Sequence, residues 1–244
     1  MKWRDTLFFG LKSKLSKEQE IYLDAIENNQ ITFCNARSGS GKTTLAVGMA
    51  KLLDKGLVYI FATPQEKTLG FRKGNTQEKE SDYLTPLYDA LVEIGEIPEK
   101  VIISENNIDN IKNGSAWVKA TSATFLRGTN LKNTTIILDE SQNHSIADLK
   151  KILTRIHDSC TVIVIGHSGQ IDIKPSASGF TKYLEHFRTE PYCAVVELTI
   201  NFRGKLATRA DSLGETNGYE RERGNTERVR NSGESTDEGT LQVR

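Results

Sequence analysis

The segment Ala36-Arg37-Ser38-Gly39-Ser40-Gly41-Lys42-Thr43 limits the fold of this chain more than any other stretch. It lies between a short apolar run, ITFCN at 31–35, and an amphipathic run from Thr43 to about residue 53. Strand, glycine turn and helix in that order aim a helix N-terminus and several backbone N–H groups at one point. Gly39 and Gly41 let the backbone turn so that those N–H groups face inward, where they suit phosphate oxygens. Lys42 adds a cation for β- and γ-phosphates, the Thr43 hydroxyl an oxygen for Mg²⁺, and Thr44 extends the polar lip. The segment fits a phosphate-cradling loop, with Ala36 in the first, often glycine, position.

The order of elements agrees. Residues 15–28 predict a helix, with Ile21, Tyr22, Ala25 and Ile26 at helical spacing behind Ser16 as N-cap. LVYIFAT (57–63) predicts a strand stopped by Pro64, 74–81 a polar loop, 86–93 a helix and 146–156 another. VIISE, AWVKAT, TTIILDE, TVIVIG and CAVVEL read as strands. Their continuous apolar character fits strands covered on both faces of a mostly parallel sheet. Strands alternating with helices over 244 residues argue for a doubly wound α/β domain. Residues 1–14 form an N-terminal extension, and 213–244, nearly without large apolar groups, predict a disordered tail.

Lys+Arg and Asp+Glu both number 32, so any nucleic-acid contact has to come from a local patch rather than a global field. The chain has no run of about 18 apolar residues for a membrane span, and no cleavage site follows its first residues. Cys34, Cys160 and Cys193 are odd in number and far apart, which fits reduced core thiols in a cytoplasmic protein.

A second motif adds chemistry. TTIILDESQN puts Asp139 at a strand end, from which a carboxylate holds Mg²⁺ through a water. Glu140, pointing differently, suits a general base for an attacking water. TVIVIGHSGQ repeats the layout: Gln170 follows a strand ending at Gly166, either as a γ-phosphate sensor or as part of an ordinary polar junction.

With KEQEIYLDAI, TPLYDAL, FLRGTNL, LKKILTRI, GHSGQID and ELTINFRG in the same order, the chain resembles the PhoH family of P-loop ATPases from about residue 15 to 212. The resemblance implies a three-layer RecA-like P-loop NTPase domain similar to one motor domain of superfamily-one helicases. It implies that Gln19 recognises adenine, hence ATP, and that Arg203 in NFRG is an arginine finger; a surface arginine is the other reading. Arg127 in FLRG falls in a segment similar to nucleic-acid-facing helicase motifs, or is structural. Single-stranded RNA or DNA is then a partner to test, with Arg127, Lys132 and Lys119 as contacts, and a homo-oligomer would let Arg203 act in trans. Where the family has Gly-Asp before the sensing glutamine, this chain has Gly166-His167, which puts coupling in doubt; Asp172 is the carboxylate nearby. The chain has no fused nuclease domain and in this resembles the compact phage-encoded proteins, which act in the host cytoplasm. A switch with little turnover is the remaining reading.

Overall fold

The computed structural model describes residues 2–62, 76–104, 107–126 and 130–211. They fall into two compact units, Met1–Phe202 and Arg203–Arg244. In the first, β1 (Ile31–Ala36), β2 (Leu57–Phe61), β3 (Val118–Ser122), β4 (Thr135–Leu138), β5 (Thr161–Gly166) and β6 (Cys193–Leu198) form one sheet in the order β3-β2-β4-β5-β1-β6. Every pairing is parallel, a stricter result than the mostly parallel sheet expected. Parallel neighbours need crossover helices. These are α2 (Lys42–Leu53), α3 (Thr76–Glu93), α4 (Pro98–Val101), α5 (Ile108–Lys112), α6 (Ile146–Leu153) and α7 (Phe180–Phe187), while α1 (Lys17–Asn28) precedes β1.

Alternation along the strands divides the core in two. Cys34, Ala36, Tyr59, Ile137 and Ile163 pack against Tyr22 and Leu23 of α1, Leu45 and Met49 of α2, and Leu87 and Leu91 of α3. Phe33, Ile60, Ile136, Leu138 and Val164 face Leu149 and Ile152 of α6 and Phe180 and Leu184 of α7. The result is the three-layer α/β/α domain on a parallel sheet that the sequence led us to expect. Each fully buried aliphatic side chain contributes about 1.5–3 kcal/mol, so this double core carries the fold. Residues 2–14 join it through three short 3₁₀ turns. Trp3 and Phe8 are buried, and the Trp3 indole donates to Asp24 of α1 at 2.8 Å.

Three local expectations change. Residues 76–81 belong to α3 instead of a loop, and the helix runs through Pro86. Its apolar stripe continues across the proline, burying Leu87, Ala90 and Leu91 and stacking Tyr83 on Phe61, and that burial outweighs the missing amide. The helix expected over 146–156 ends at Leu153, where the Thr154 hydroxyl bonds the Lys150 carbonyl at 2.7 Å. The strand expected at VIISE is replaced by the α4 turn and a single bridge between Ile102 and Val118. Pro98 starts that turn, and the buried Asn107 side chain holds it by donating to the carbonyls of Glu99, Lys100 and Ile102 and accepting from Ser104 N–H. Thr63 and Pro64 at the end of LVYIFAT, and the tail from 213, lie outside the described residues.

Asn107 is thus the side chain that turns a strand-like sequence into a cap. Asn107→Ala should leave those carbonyls unpaired and cost about 1–3 kcal/mol, read as a lower urea midpoint with unchanged m-value. A midpoint equal to the parent's would show that water replaces the amide without penalty.

Candidate functional site

The carboxyl ends of β1, β5 and β4 lie side by side, with β5 in the middle. In open parallel sheets this edge is where ligands bind. Strand spacing puts the ends of β1 and β4 about 10 Å apart, so the loop after β1 and the acids after β4 meet only if a helix reaches across.

That helix is α2. Ala36 ends β1, and Arg37 N–H donates to the Leu198 carbonyl of β6 at 3.0 Å. Gly39 and Gly41 then take left-handed φ values of 74° and 79°, which glycine adopts without strain. Gly41 is the N-cap of α2, so the N–H groups of Lys42, Thr43 and Thr44 open the helix with no partner inside it. A Cβ at Gly41 would meet Gln19 Nε2 at 3.1 Å. The buried Gln19 side chain braces the loop: Nε2 donates to the Ser40 carbonyl at 2.9 Å, and Oε1 accepts Ser16 N–H at 2.9 Å. The second bond belongs to the capping box that starts α1. Phe202 N–H closes the other side of the loop on the Gly39 carbonyl at 2.9 Å. Ser40 is buried.

Across the cleft, Thr43 Oγ1 donates to Asp139 Oδ2 at 2.9 Å, and Lys42 Nζ lies 3.5 Å from Glu140 Oε1. Tyr59 of β2 donates its hydroxyl to the same Asp139 oxygen at 2.6 Å, and Glu140 N–H donates to Oδ1 at 2.9 Å. Asp139 is fully buried, and its pKa is raised, first by burial and then by the charge of Glu140; Lys42, Tyr59 and the Glu140 amide pull the other way. Burial, reinforced by Asp139, likewise holds the Tyr59 hydroxyl protonated. Burial pushes the Cys34 thiol up to about 12, as expected of an inert core cysteine.

The loop after β5 joins from the middle. Ser168 N–H donates to Asn35 Oδ1 of β1 at 3.1 Å, and Gln170 N–H closes a turn on the His167 carbonyl at 3.1 Å with its side chain exposed. Gly166 is required where β5 ends, because a Cβ there would lie 2.8 Å from the Phe180 ring. The loops after β4 and β5 are stitched by two amides the sequence reading passed over. Gln142 donates to Glu140 Oε2 and accepts His167 N–H at 3.0 Å; Asn143 donates to Asp172 Oδ2 and accepts Asp172 N–H, both at 2.8 Å. Their signal was present in DESQN as a pair of amides behind two acids at a strand end. Tyr59 gave no such signal inside an apolar strand.

Four sequence-predicted residues remain. Arg203 opens the second unit, whose described residues run from 203 to 211 and include α8 (Lys205–Asp211). Arg127 lies outside the described residues. Lys119, in the amino half of β3, and Lys132, ahead of β4, are exposed and lie at the amino ends of their strands, whereas the phosphate loop follows the carboxyl end of β1. Among the described residues no group of three His, Cys, Asp or Glu side chains gathers as a metal cluster, and no helix is long and apolar enough to cross a membrane.

A family profile described as PhoH-like protein matches residues 12–210. The PhoH-like protein of Synechocystis sp. is 36% identical over 161 residues, covering 64% of this chain and 46% of the relative. Protein PhoH of Escherichia coli K12 is 31% identical over 183 residues (72% and 49%), and the PhoH-like protein of Bacillus subtilis 31% over 187 (74% and 56%). The chain thus spans about half the length of the curated relatives it matches. Among solved structures, the Pyrococcus furiosus Hef helicase domain is similar at a TM-score of 0.46 and 13% identity, covering 82% of this chain and 40% of that one. That likeness is too distant to carry an argument about function.

The raised Asp139 pKa has a measurable sign. A carboxyl that binds its proton more tightly folded than unfolded adds stability at acid pH and loses it as pH rises through the folded value. At neutral pH the ionised group therefore opposes folding of the nucleotide-free, chelator-treated protein. Asp139→Asn should melt higher than the parent at pH 7, by about 2–4 °C for each kcal/mol recovered. The gap should close as pH falls into the carboxylate range. A variant melting below the parent at pH 7 would show that its hydrogen bonds outweigh the cost of burial.

Proposed function

The chain belongs to the PhoH family, and from that premise we propose that it binds ATP with Mg²⁺ on the loop from Ala36 to Thr44 and hydrolyses it to ADP and phosphate. The observation that carries this reading is the double match across the cleft: Thr43 on Asp139 at 2.9 Å and Lys42 beside Glu140 at 3.5 Å. One loop thus pairs a hydroxyl and a cation with two carboxylates of different burial.

In this reading the free N–H groups at the start of α2 and the Lys42 ammonium receive the β- and γ-phosphates. Thr43 Oγ1 and Asp139, hydrogen-bonded at 2.9 Å, are hard oxygen donors that would hold Mg²⁺, the hydroxyl as a ligand and the carboxylate through a water. When bound, the ion neutralises charge on the phosphate oxygens. It would also relieve the burial cost of the Asp139 charge. Glu140, 44% exposed at its side chain, orients a water and takes its proton as the new P–O bond forms and the bond to ADP breaks. Gln170 reports on the γ-phosphate from the loop after β5.

Gln19 supports adenine. Its amide is fixed by Ser16 and Ser40 yet keeps one further hydrogen and one further lone pair. That donor–acceptor pair matches the N7 and N6–H edge of adenine; guanine offers two acceptors there. Arg203 is the arginine-finger proposal, supplied by a second copy of the chain in a homo-oligomer. Single-stranded RNA or DNA is the proposed stimulating partner, and the buried, protonated Cys34 fits a cytoplasmic setting.

Steady-state phosphate release tests the reading. Lys42→Ala should lose nucleotide binding or turnover, and Glu140→Gln should keep ATP bound while turnover drops by about a hundredfold or more, the range for a positioned general base. Parent-level hydrolysis by Glu140→Gln would remove that carboxylate as the base. Stimulation by single-stranded RNA at low salt, lost at high salt, tests the nucleic-acid partner. Mixing Arg203→Ala with Glu140→Gln chains tests the oligomer through recovered activity.

A further inference from the structure

His167 stands where a carboxylate was expected to tie the nucleotide site to the sensing loop, and its side chain makes no such tie: His167 Nδ1 is buried without a hydrogen-bond partner. The loop is nonetheless fastened. Gln142, 1% exposed, spends its amide on two loops at once, donating to Glu140 Oε2 and accepting the main-chain N–H of His167 at 3.0 Å. The neighbouring Asn143 makes two hydrogen bonds with Asp172, donating to Oδ2 and accepting the main-chain N–H, both at 2.8 Å. A buried amide with both ends paired has one low-energy orientation. It holds Glu140, whose own backbone is left-handed at φ 49°, and the loop of Gln170 in fixed register.

We propose that Gln142 and Asn143 form an amide clasp through which this chain couples its base carboxylate to the sensing loop, using the main chain at residue 167 where a side chain was expected. The clasp rests on the reading of Glu140 as the base. Both are positioning residues. Glu140 is held between Lys42 Nζ and Gln142 Nε2; once Lys42 turns to phosphate oxygens, the amide is what keeps the carboxylate aimed. Movement of the sensing loop on loss of the γ-phosphate then reaches Glu140 through one hydrogen-bonded side chain. Because a main-chain N–H is the same whatever residue carries it, histidine at 167 leaves this route intact.

The test uses the full chain and four variants, Gln142→Met, Gln142→Glu, Asn143→Ala and His167→Ala. The readouts are the Kd for a fluorescent ATP analogue, kcat, and hydrogen exchange of the His167 amide. Gln142→Met keeps the volume and loses both hydrogen bonds. It should leave Kd within about twofold, lower kcat by about ten- to a hundredfold, the worth of a hydrogen bond to a charged group, and speed His167 exchange by about tenfold or more. Gln142→Glu still accepts from His167 but faces Glu140 with a like charge, so it should keep the amide protected while losing kcat. Asn143→Ala should speed exchange of the Asp172 amide and lower kcat without loss of binding. His167→Ala should cost kcat far less than Gln142→Met. The proposal is overturned if Gln142→Met turns over at the parent rate, if Kd weakens in step with kcat, or if His167→Ala is as damaging as Gln142→Met. If the parent shows no turnover, hydrolysis as the function fails, and exchange of the His167 amide still decides whether the clasp exists.

Discussion

The carboxylate of Asp139 accepts hydrogen bonds from three directions, the Thr43 hydroxyl of α2, the Tyr59 hydroxyl of β2 and the N–H of Glu140. It has 1% exposure. An ionised group so placed is costly unless paired or neutralised. Its surroundings offer three donors and one nearby cation, enough to hold the charge but not enough to bring its pKa down to the usual range. The positive end of α2 points at the same region. In the proposed reading, a dication and an anionic phosphate together would complete the charge balance that the protein leaves open.

That constraint explains the layout of the sheet edge. Two strand spacings separate the phosphate loop from the acids, and α2 bridges them because its first turn carries Lys42 and Thr43 on adjacent positions. The bridge holds only if the loop before α2 cannot drift. Gln19 from α1, Leu198 at the end of β6 and Phe202 beyond it each bond a different backbone group of the loop. The left-handed turns at Gly39 and Gly41 are thereby fixed from both sides, and a side chain at Gly41 would strike the Gln19 amide as well as strain the backbone.

Much of this was legible in the sequence for a physical reason. The phosphate loop, the α1 cap at Ser16 and the acids after β4 are local: each needs only neighbours within a few residues, and propensity and pattern act at that range. The five apolar runs that became β2 to β6 were readable for the same reason. VIISE failed because its fate depends on Asn107, a side chain that caps carbonyls behind it, and no strand propensity registers that competition. Pro86 works in the opposite sense: proline signals a helix start, yet a buried stripe carries α3 through it. Gln142, Asn143 and Tyr59 owe their roles to partners between 25 and 80 residues away, contacts that only the parallel pairing of β2, β4 and β5 creates.

The same long-range logic runs through Glu18, beside Gln19 on α1. Its carboxylate accepts the Thr199 hydroxyl at 2.6 Å and the Thr199 N–H at 2.8 Å. Burial works against its charge, but these bonds and one from Ile200 N–H overcome it and hold its pKa below the usual carboxylate range. Adjacent helix residues therefore grip the two segments that meet at the loop. Glu18 holds the stretch after β6, Gln19 holds Ser40, and Phe202 joins the two on Gly39. A ring closed in this way resists rearrangement at any one member, because moving Ser40 displaces Gln19, hence α1, hence the segment carrying Phe202. In the proposed reading, ligand contacts at the Gln19 amide and at the phosphate loop would bear on the same ring, so the base end and the phosphate end of a nucleotide would be read by one mechanical unit.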